Sequence, residues 1–222
     1  DVEWCHEALK SHQREPTNGV ITTEHVVSDI GESSSFIKVE KLDSSSQWKS
    51  RKESIRVKRS SDDYEKHLRL IMLNANSIKF IDPHLDPTKG RYSDILQIIL
   101  LSQDRNPKPK IEIHRVKYSG SGKNRQLIDK EDWEIYFHNF WSKKLSSTNL
   151  QVDIFIWEDF HDRYFISDLI GISMANGFDT SNDPKKKTTT WSRLDRKDKD
   201  DIEREFEPEC NPYSLIHSFS IP

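Results

Sequence analysis

Hydrophobic and polar positions follow helical and strand periods in turn between residues 61 and 158. Acidic residues after Ser61, followed by Leu68, Ile71 and further apolar residues, predict a capped amphipathic helix over 61–75. The other segments with helical spacing are 92–102 and 130–145, and those with strand character are 77–82, 110–118 and 150–158. Because helix and strand alternate, the chain predicts an α/β layered domain with a mixed, largely parallel sheet flanked by helices.

The two ends of the chain are less regular. Residues 1–60 are rich in Ser, Glu and Lys and contain two predicted strands, 19–27 and 36–42. Beyond Gly171 the pattern predicts irregular structure, then a helix at 198–207 and a strand at 214–221. We therefore predict an N-terminal extension over 1–60 and an α/β domain over 61–222.

Composition excludes several classes of protein. The chain has 222 residues, 33% of them hydrophobic and 32% charged, with a net charge of −3. No apolar run has the length of a membrane-spanning helix. Cys5 and Cys210 form neither a disulfide framework nor a metal motif, so we expect a reducing, cytoplasmic location. The start at Asp1, without Met, predicts a processed chain or a piece of a longer one.

One group of residues with chemical potential follows the strand at 150–158. His161, Arg163 and Asp168 have the spacing H-x-R-x4-D. Residues i and i+2 of an extended strand project from the same face, so His161 and Arg163 can converge on one phosphate, whereas Asp168 needs a bend to join them. A shuffled chain of this composition holds roughly 0.1 such motifs, so the motif needs support from its context.

That pattern resembles the H-x-K-x4-D motif of the phospholipase D superfamily, and Ser173 and Asn176 resemble the G-S-x-x-N segment of the same proteins. Residues 68–179 are most similar to the phospholipase-D-like C-terminal domain of MIT-domain-containing proteins. The landmarks that carry this resemblance are Asp82-Pro83-His84, His161-Asp162-Arg163, Gly171 and Gly177-Phe178-Asp179.

The resemblance implies a metal-independent phosphodiesterase of the nuclease type, without a cofactor. His161 would attack phosphorus, Arg163 would hold phosphate oxygens and Asp168 would support the site. Ser173, Asn176 and His84 would bind phosphate. The mechanism needs a second histidine, which a homodimer would supply, and no metal ion.

Basic residues near the C-terminus favour a polyanionic partner. We predict that a nucleic acid binds to Lys185, Lys186, Lys187, Trp191 and Arg193. The protein would then resemble a microbial defence protein and act within a longer chain or complex. Two alternatives stay open. One is a non-catalytic module that binds phosphate or phosphoinositide on an anionic membrane, and the other is a purely structural domain in which Arg163 is locked in an internal ion pair.

Overall fold

The structure is a computed structural model and describes residues 1–14, 16–17, 19–181, 183, 187–209 and 212–222. The chain divides into two compact units, Asp1–Glu53 and Ser54–Pro222. The boundary between the units follows Glu53 and is therefore earlier in the chain than the boundary expected after residue 60. The reason is that Ser54–Lys58 is an edge strand of the second unit's sheet.

The first unit contains more helix than its sequence pattern predicts. Its elements are α1 Val2–Arg14, β1 Val20–Thr22, α2 Glu24–Ile30, β2 Phe36–Lys38 and α3 Ser46–Lys49. The predicted strand over 19–27 ends at Thr22, because the Thr23 side chain accepts a hydrogen bond from Val26 N and caps α2. β1 and β2 pair in parallel, and the second predicted strand gives way to a 3₁₀ segment, Val39–Ser44.

The second unit carries the α/β pattern. Its strands are β3 Ser54–Lys58, β4 Ser77–Ile81, β5 Lys110–Val116, β6 Tyr118–Ser119, β7 Gln126–Leu127, β8 Val152–Trp157, β9 Tyr164–Ser167, β10 Gly171–Met174, β11 Thr188–Arg193 and β12 Leu215–Ile221. Its helices are α4 Ser61–Asn74, α5 Ser93–Leu100, α6 Lys130–Phe137, α7 Lys143–Leu145 and α8 Arg196–Glu205.

In the part of the chain that the structure describes, eight strands form one sheet in the order β12-β8-β5-β4-β9-β10-β11-β3. β4, β5 and β8 are parallel, and the remaining neighbours are antiparallel. The predicted mixed α/β architecture is confirmed, with its parallel part at the centre. β10 and β11 occupy the region beyond residue 170 that the pattern predicted to be irregular.

Each face of this sheet is covered differently. Ile78 and Phe80 of β4 belong to a large core shared with α4, α5 and α6, whereas Ile81 packs with Trp157 and with Phe206, which follows α8. Within the helical segment predicted over 130–145, Trp133, Phe137 and Trp141 are buried, but Phe140 is 53% exposed because α6 continues as a π-helical turn, His138–Ser142.

The carboxyl ends of the parallel strands matter for the site. Parallel β4, β5 and β8 end at one edge of the sheet, where antiparallel β9 begins, and we call this the carboxyl edge. Open α/β sheets bind their ligands at this edge.

Across the described ranges, no helix is both long and apolar enough to cross a membrane.

Candidate functional site

Strand register brings Asp82 and Arg163 together at the carboxyl edge. Ile81 of β4 lies opposite Tyr164 of β9, so the residues immediately beyond them are neighbours. Arg163 Nε lies 3.7 Å from Asp82 Oδ1. Asp82 is fully buried, whereas the Arg163 side chain is 27% exposed. The guanidinium therefore neutralises a buried carboxylate while remaining within reach of solvent.

The Asp82 carboxylate also orders two turns. Its Oδ1 accepts a hydrogen bond from His84 N at 2.9 Å, and its Oδ2 accepts one from Phe178 N at 3.0 Å. Burial raises the pKa of Asp82, while these two amides and the Arg163 charge act in the opposite direction. The carboxylate thus joins the loop after β4 to the turn after β10.

Gly177 allows this close approach. Its φ is +65°, and a Cβ at this position would lie 2.1 Å from Asp82 Oδ2 and 2.8 Å from Arg163 Cδ. Only glycine adopts this backbone conformation readily and leaves room for the carboxylate. The landmarks around Asp82, Arg163 and Gly177, which are far apart in sequence, therefore meet at one place.

A second ion pair extends this cluster toward α4. Arg59 Nη2 lies 2.5 Å from Asp179 Oδ2, and both side chains are largely buried. Tyr64 of α4 donates its hydroxyl to the backbone oxygen of Asp179 at 2.9 Å. Although Arg59 belongs to a basic stretch of the sequence, its guanidinium is committed to Asp179, and it ties the end of β3 to the turn after β10.

His84 lies beside Asp82 at the same edge and is half-buried. Burial is the largest cause that lowers the pKa of its imidazole to about 4. The next causes are positive charges that we call the arginine cluster: Arg163, Arg115, Arg91 and Arg125. At neutral pH the ring is therefore uncharged and has a free nitrogen lone pair. Its nitrogens hydrogen-bond to no residue within the described ranges.

The members of the arginine cluster differ in their availability. Arg115 is buried and donates to three backbone oxygens, those of Val116, Leu85 and Tyr118, so its role is structural. Burial lowers its pKa to about 9, which leaves it charged at neutral pH. Arg125 is neutralised by Asp159, with nitrogen-to-oxygen distances of 2.9 and 2.5 Å.

Arg91 and Arg163 remain available to a ligand. Arg91 is exposed, and its guanidinium forms no ion pair with any side chain that the structure describes. Sequence analysis missed both Arg91 and Arg125 because they lie in loops, outside every motif and outside the periodic segments. One sequence feature points to Arg91, which is its position soon after the strand end at Asp82-Pro83.

His161 lies three residues before β9, in the segment that enters the strand at the carboxyl edge. Its backbone oxygen accepts a hydrogen bond from Arg163 Nη1 at 3.4 Å. Its imidazole is exposed, and its charge contributes to lowering the pKa of Asp159, after the larger effect of Arg125. His161 and Arg163 therefore share one edge of the sheet, as the motif predicts, and His84 lies there with them.

Asp168 does not join them. β9 crosses the sheet, and Ser167 lies opposite Ile78 near the beginning of β4. The Asp168 carboxylate accepts hydrogen bonds from Asn76 N at 2.9 Å, Ser77 N at 3.4 Å and Asn76 Nδ2 at 3.2 Å. Because four strand residues span roughly 13 Å, Asp168 lies at the opposite edge from Arg163 and has a structural place there. This placement corrects the expectation that Asp168 supports the site.

The predicted phosphate ligands after β9, Ser173 and Asn176, are not hydrogen-bonded to His84 or Arg163 within the described residues. Ser173 pairs with Tyr164 in the sheet, and neighbouring residues of opposed strands share a face, so Ser173 lies on the face away from Phe165. Asn176 is exposed in the turn that contains Gly177.

The predicted nucleic-acid-binding segment is divided by the fold. Lys185 and Lys186 lie outside the described residues. Trp191 is buried, with its ring centroid 5.0 Å from that of Tyr64, because alternate residues of β11 face the core. It is a core residue and cannot present its face to a base, which corrects the prediction.

The two remaining residues of that segment lie at opposite ends of β11. Lys187 is exposed just before β11, at the carboxyl edge. Arg193 is exposed at the far end of the strand, where it lines a groove with Asp168. Of the described part of the segment, Lys187 is thus the cation placed on the side of His84 and Arg163.

Comparison with known proteins gives similarity to solved structures. No family model and no curated protein matches the chain. Nuc from Salmonella typhimurium, a phospholipase D family member, matches 74% of this chain and 97% of its own at 11% identity, with a TM-score of 0.46. NucT from Helicobacter pylori matches 71% of this chain and 92% of its own at 12% identity, with a TM-score of 0.42.

TrmBL2, an archaeal chromatin protein whose structure shows a novel mode of DNA binding, matches 97% of this chain at 13% identity, with a TM-score of 0.42. This chain spans 66% of the length of TrmBL2. All of these TM-scores lie below 0.5.

Proposed function

We propose that the second unit binds phosphodiesters at the carboxyl edge and hydrolyses them, as a phospholipase D-like domain of the nuclease type. The observation that carries this proposal is the uncharged His84 imidazole beside Arg163, within the arginine cluster. An imidazole lone pair can attack phosphorus, and guanidinium groups bind and neutralise phosphate oxygens. The cluster thus combines a nucleophile with an anion site.

Arg163 is held in position before a ligand arrives. Its Nε lies near the buried Asp82 carboxylate and its Nη1 donates to the His161 backbone oxygen. A side chain fixed in this way loses little conformational entropy when it binds phosphate. Arg91 supplies a second, more exposed charge on the same loop as His84.

Exposed cations beyond the site favour a polymeric substrate. Lys58 at the end of β3 pairs in register with Thr188, and Lys187 precedes that residue, so both lysines lie at the carboxyl edge. β3 is separated from β9 by β10 and β11. With strands roughly 5 Å apart, this distance is about 15 Å, which a polynucleotide backbone spans and a single phosphodiester does not.

The test measures binding and cleavage with the full chain. The protein is incubated with single-stranded DNA, duplex DNA, RNA and bis(p-nitrophenyl) phosphate. EDTA is present to remove divalent metal ions, which the proposed imidazole chemistry does not need. Arg163→Ala should weaken binding by about 10- to 100-fold, the loss expected for a charge-assisted hydrogen-bonded pair. Arg163→Lys should retain part of the affinity, because it keeps the charge without the planar fork.

Arg196→Ala is the matched control, since this arginine is 96% exposed at the start of α8, away from the carboxyl edge. Near-ultraviolet circular dichroism verifies that each variant is folded. The proposal would be abandoned if folded Arg163→Ala bound and cleaved every substrate as the unchanged protein does.

A second candidate is recognition of phosphate without turnover. The position of Asp168 favours it, because the acid that the motif supplies for catalysis lies at the opposite edge of the sheet. Salt-sensitive binding to vesicles that contain phosphoinositide, weakened by Arg163→Ala and without hydrolysis of any diester, would support this candidate. Equal binding to neutral vesicles would contradict it.

A further inference from the structure

We infer that His84 is the attacking imidazole and His161 the proton donor, so that one chain supplies both histidines of the reaction. This inference rests on the proposed function and changes its catalytic assignment. The sequence motif gives His161 the role of nucleophile and takes the second histidine from another copy of the chain. The geometry points to a complete site within the second unit.

The first argument is the pairing of β4 with β9. Ile81 lies opposite Tyr164, and Asp82 contacts Arg163 just beyond that pair. His84 and His161 each lie two residues further along their own segment, beyond the same edge. The Asp82 carboxylate accepts from His84 N, while Arg163 donates to the His161 oxygen. Both histidines are therefore tied by their backbone atoms to the same Asp82–Arg163 pair.

The second argument is the difference between the two rings. The His84 ring is half-buried among the arginines and stays uncharged at neutral pH, so its lone pair is available for attack. A ring of that kind is rarely protonated at neutral pH, so it seldom carries the proton that a leaving group needs. The His161 ring is exposed to solvent, on the side from which a leaving group would depart.

These roles give a balanced reaction in two steps. A His84 ring nitrogen forms a bond to phosphorus, the P–O bond to one ester group breaks, and protonated His161 gives its proton to the departing oxygen. Water then attacks phosphorus while neutral His161 takes a proton from it. The P–N bond breaks, and its electron pair returns to His84. The products are an alcohol and a phosphomonoester, and no other reactant is consumed.

The other histidines of this unit do not provide such a pair. The His67 ring packs against Trp191, and His217 bonds to Glu134 at 3.2 Å. The His114 ring is fully buried within the core of the unit. Its two nitrogens form hydrogen bonds with Trp157 Nε1 and with the Glu112 carboxylate, each 3.1 Å long. His138 is exposed on the π-helical turn after α6 and bonds to Ser142. His114 is satisfied within the core, and His138 serves as a surface control.

The experiment compares His84→Asn, His161→Asn and His138→Asn in the full chain. The His84 backbone N–H, which bonds to Asp82, is unaffected by the change of side chain. With bis(p-nitrophenyl) phosphate, whose leaving group departs without protonation, His161→Asn should release a burst of p-nitrophenolate equal to the enzyme present and then turn over slowly. His84→Asn should show no burst and at least about a thousandfold lower turnover. His138→Asn should behave as the unchanged protein.

Mixing the two inactive variants tests whether one chain is sufficient. If both histidines act within one chain, mixed His84→Asn and His161→Asn proteins regain no activity. Recovered activity in the mixture would show a site shared between copies and would overturn the inference.

The failures of the two proposals are distinguishable. Folded His84→Asn that cleaves as well as the unchanged protein would overturn the assignment while leaving a phosphodiesterase in place. An unchanged protein that binds anions but cleaves none of the substrates would overturn hydrolysis itself, and this assignment with it.

Discussion

Replacing Gly177 with Ala tests the packing around which the candidate site is built. The backbone at Gly177 has φ of +65°, and the added Cβ would lie 2.1 Å from Asp82 Oδ2. That oxygen cannot retreat without cost, because it accepts the Phe178 N hydrogen bond within a fully buried carboxylate. Arg163 Cδ, 2.8 Å from the same Cβ, would also have to move.

Two effects contribute to the expected loss of stability. A non-glycine residue in the left-handed region costs about 1–2 kcal/mol. Overpacking against atoms that are held in place costs about 1–3 kcal/mol more. Gly177→Ala should therefore lower the free energy of unfolding by about 2–5 kcal/mol, and it should weaken anion binding because Arg163 is displaced.

Gly122→Ala separates the two effects. Gly122 has φ of +54°, but a Cβ there meets nothing within 4 Å. It also belongs to the second unit, so urea unfolding followed by tryptophan fluorescence compares the same transition in both variants. Gly122→Ala should show the conformational cost alone, about 1–2 kcal/mol. Equal losses in the two variants, or unchanged anion binding in Gly177→Ala, would refute the close contact with Asp82 and Arg163.

Three further changes probe separate parts of the second unit. Lys79→Met removes a buried ammonium 2.7 Å from Glu112, which keeps Lys110 and His114 as partners, and should cost about 2–3 kcal/mol in urea unfolding. Lys110→Met removes a 60% exposed partner of the same acid and should cost at most about 1 kcal/mol, so equal losses would contradict this ranking. Asp168→Ala should cost about 1–2 kcal/mol, from lost hydrogen bonds, and leave cleavage intact; a folded variant without cleavage would restore the catalytic role expected from the motif. The pKa of His84 falls from 6.5 to about 4 on folding, so the unfolded chain binds the extra proton and stability declines as pH drops from 6.5 toward 4. Solvent screens this half-buried ring, so we expect His84→Asn to reduce the loss of unfolding free energy between pH 6.5 and pH 4 by about 1–2 kcal/mol. Urea unfolding at the two pH values measures this loss, and the same loss in the variant and the unchanged protein would contradict the prediction.

Hydrophobic periodicity predicted the central elements of the fold because local physics determines them. β4, β5 and β8 carry apolar, mostly β-branched residues at alternate positions, and α4 begins where the Ser60 side chain caps it. β10 and β11 lack such a signal. β11 is largely Thr and Ser with one Trp, and its burial depends on pairing with β10 and β3 rather than on its own composition.

The site was only partly predictable for a related reason. The i, i+2 spacing of His161 and Arg163 is local, and the structure keeps both at one edge. The interval from Arg163 to Asp168 crosses the whole of β9, and no spacing rule reveals that the strand runs straight through. His84 becomes a neighbour of Arg163 only through the β4–β9 pairing, which the order of residues along the chain does not contain.

The fold itself accounts for several features of the carboxyl edge. Asp82, Gly177 and the buried part of Arg163 hold loops together, and a domain without any activity would need them for that purpose. The His84 ring and the Arg91 guanidinium are different, because neither forms a hydrogen bond or an ion pair with the described residues, although Arg91 lies over the Tyr92 ring, 5.2 Å from its centroid. Placing an imidazole among positive charges lowers its pKa and disfavours its charged form, an arrangement that contributes nothing to stability at low pH. These two side chains therefore carry the case for a ligand more strongly than the conspicuous H-x-R motif, since no hydrogen bond or ion pair within the described residues accounts for their positions.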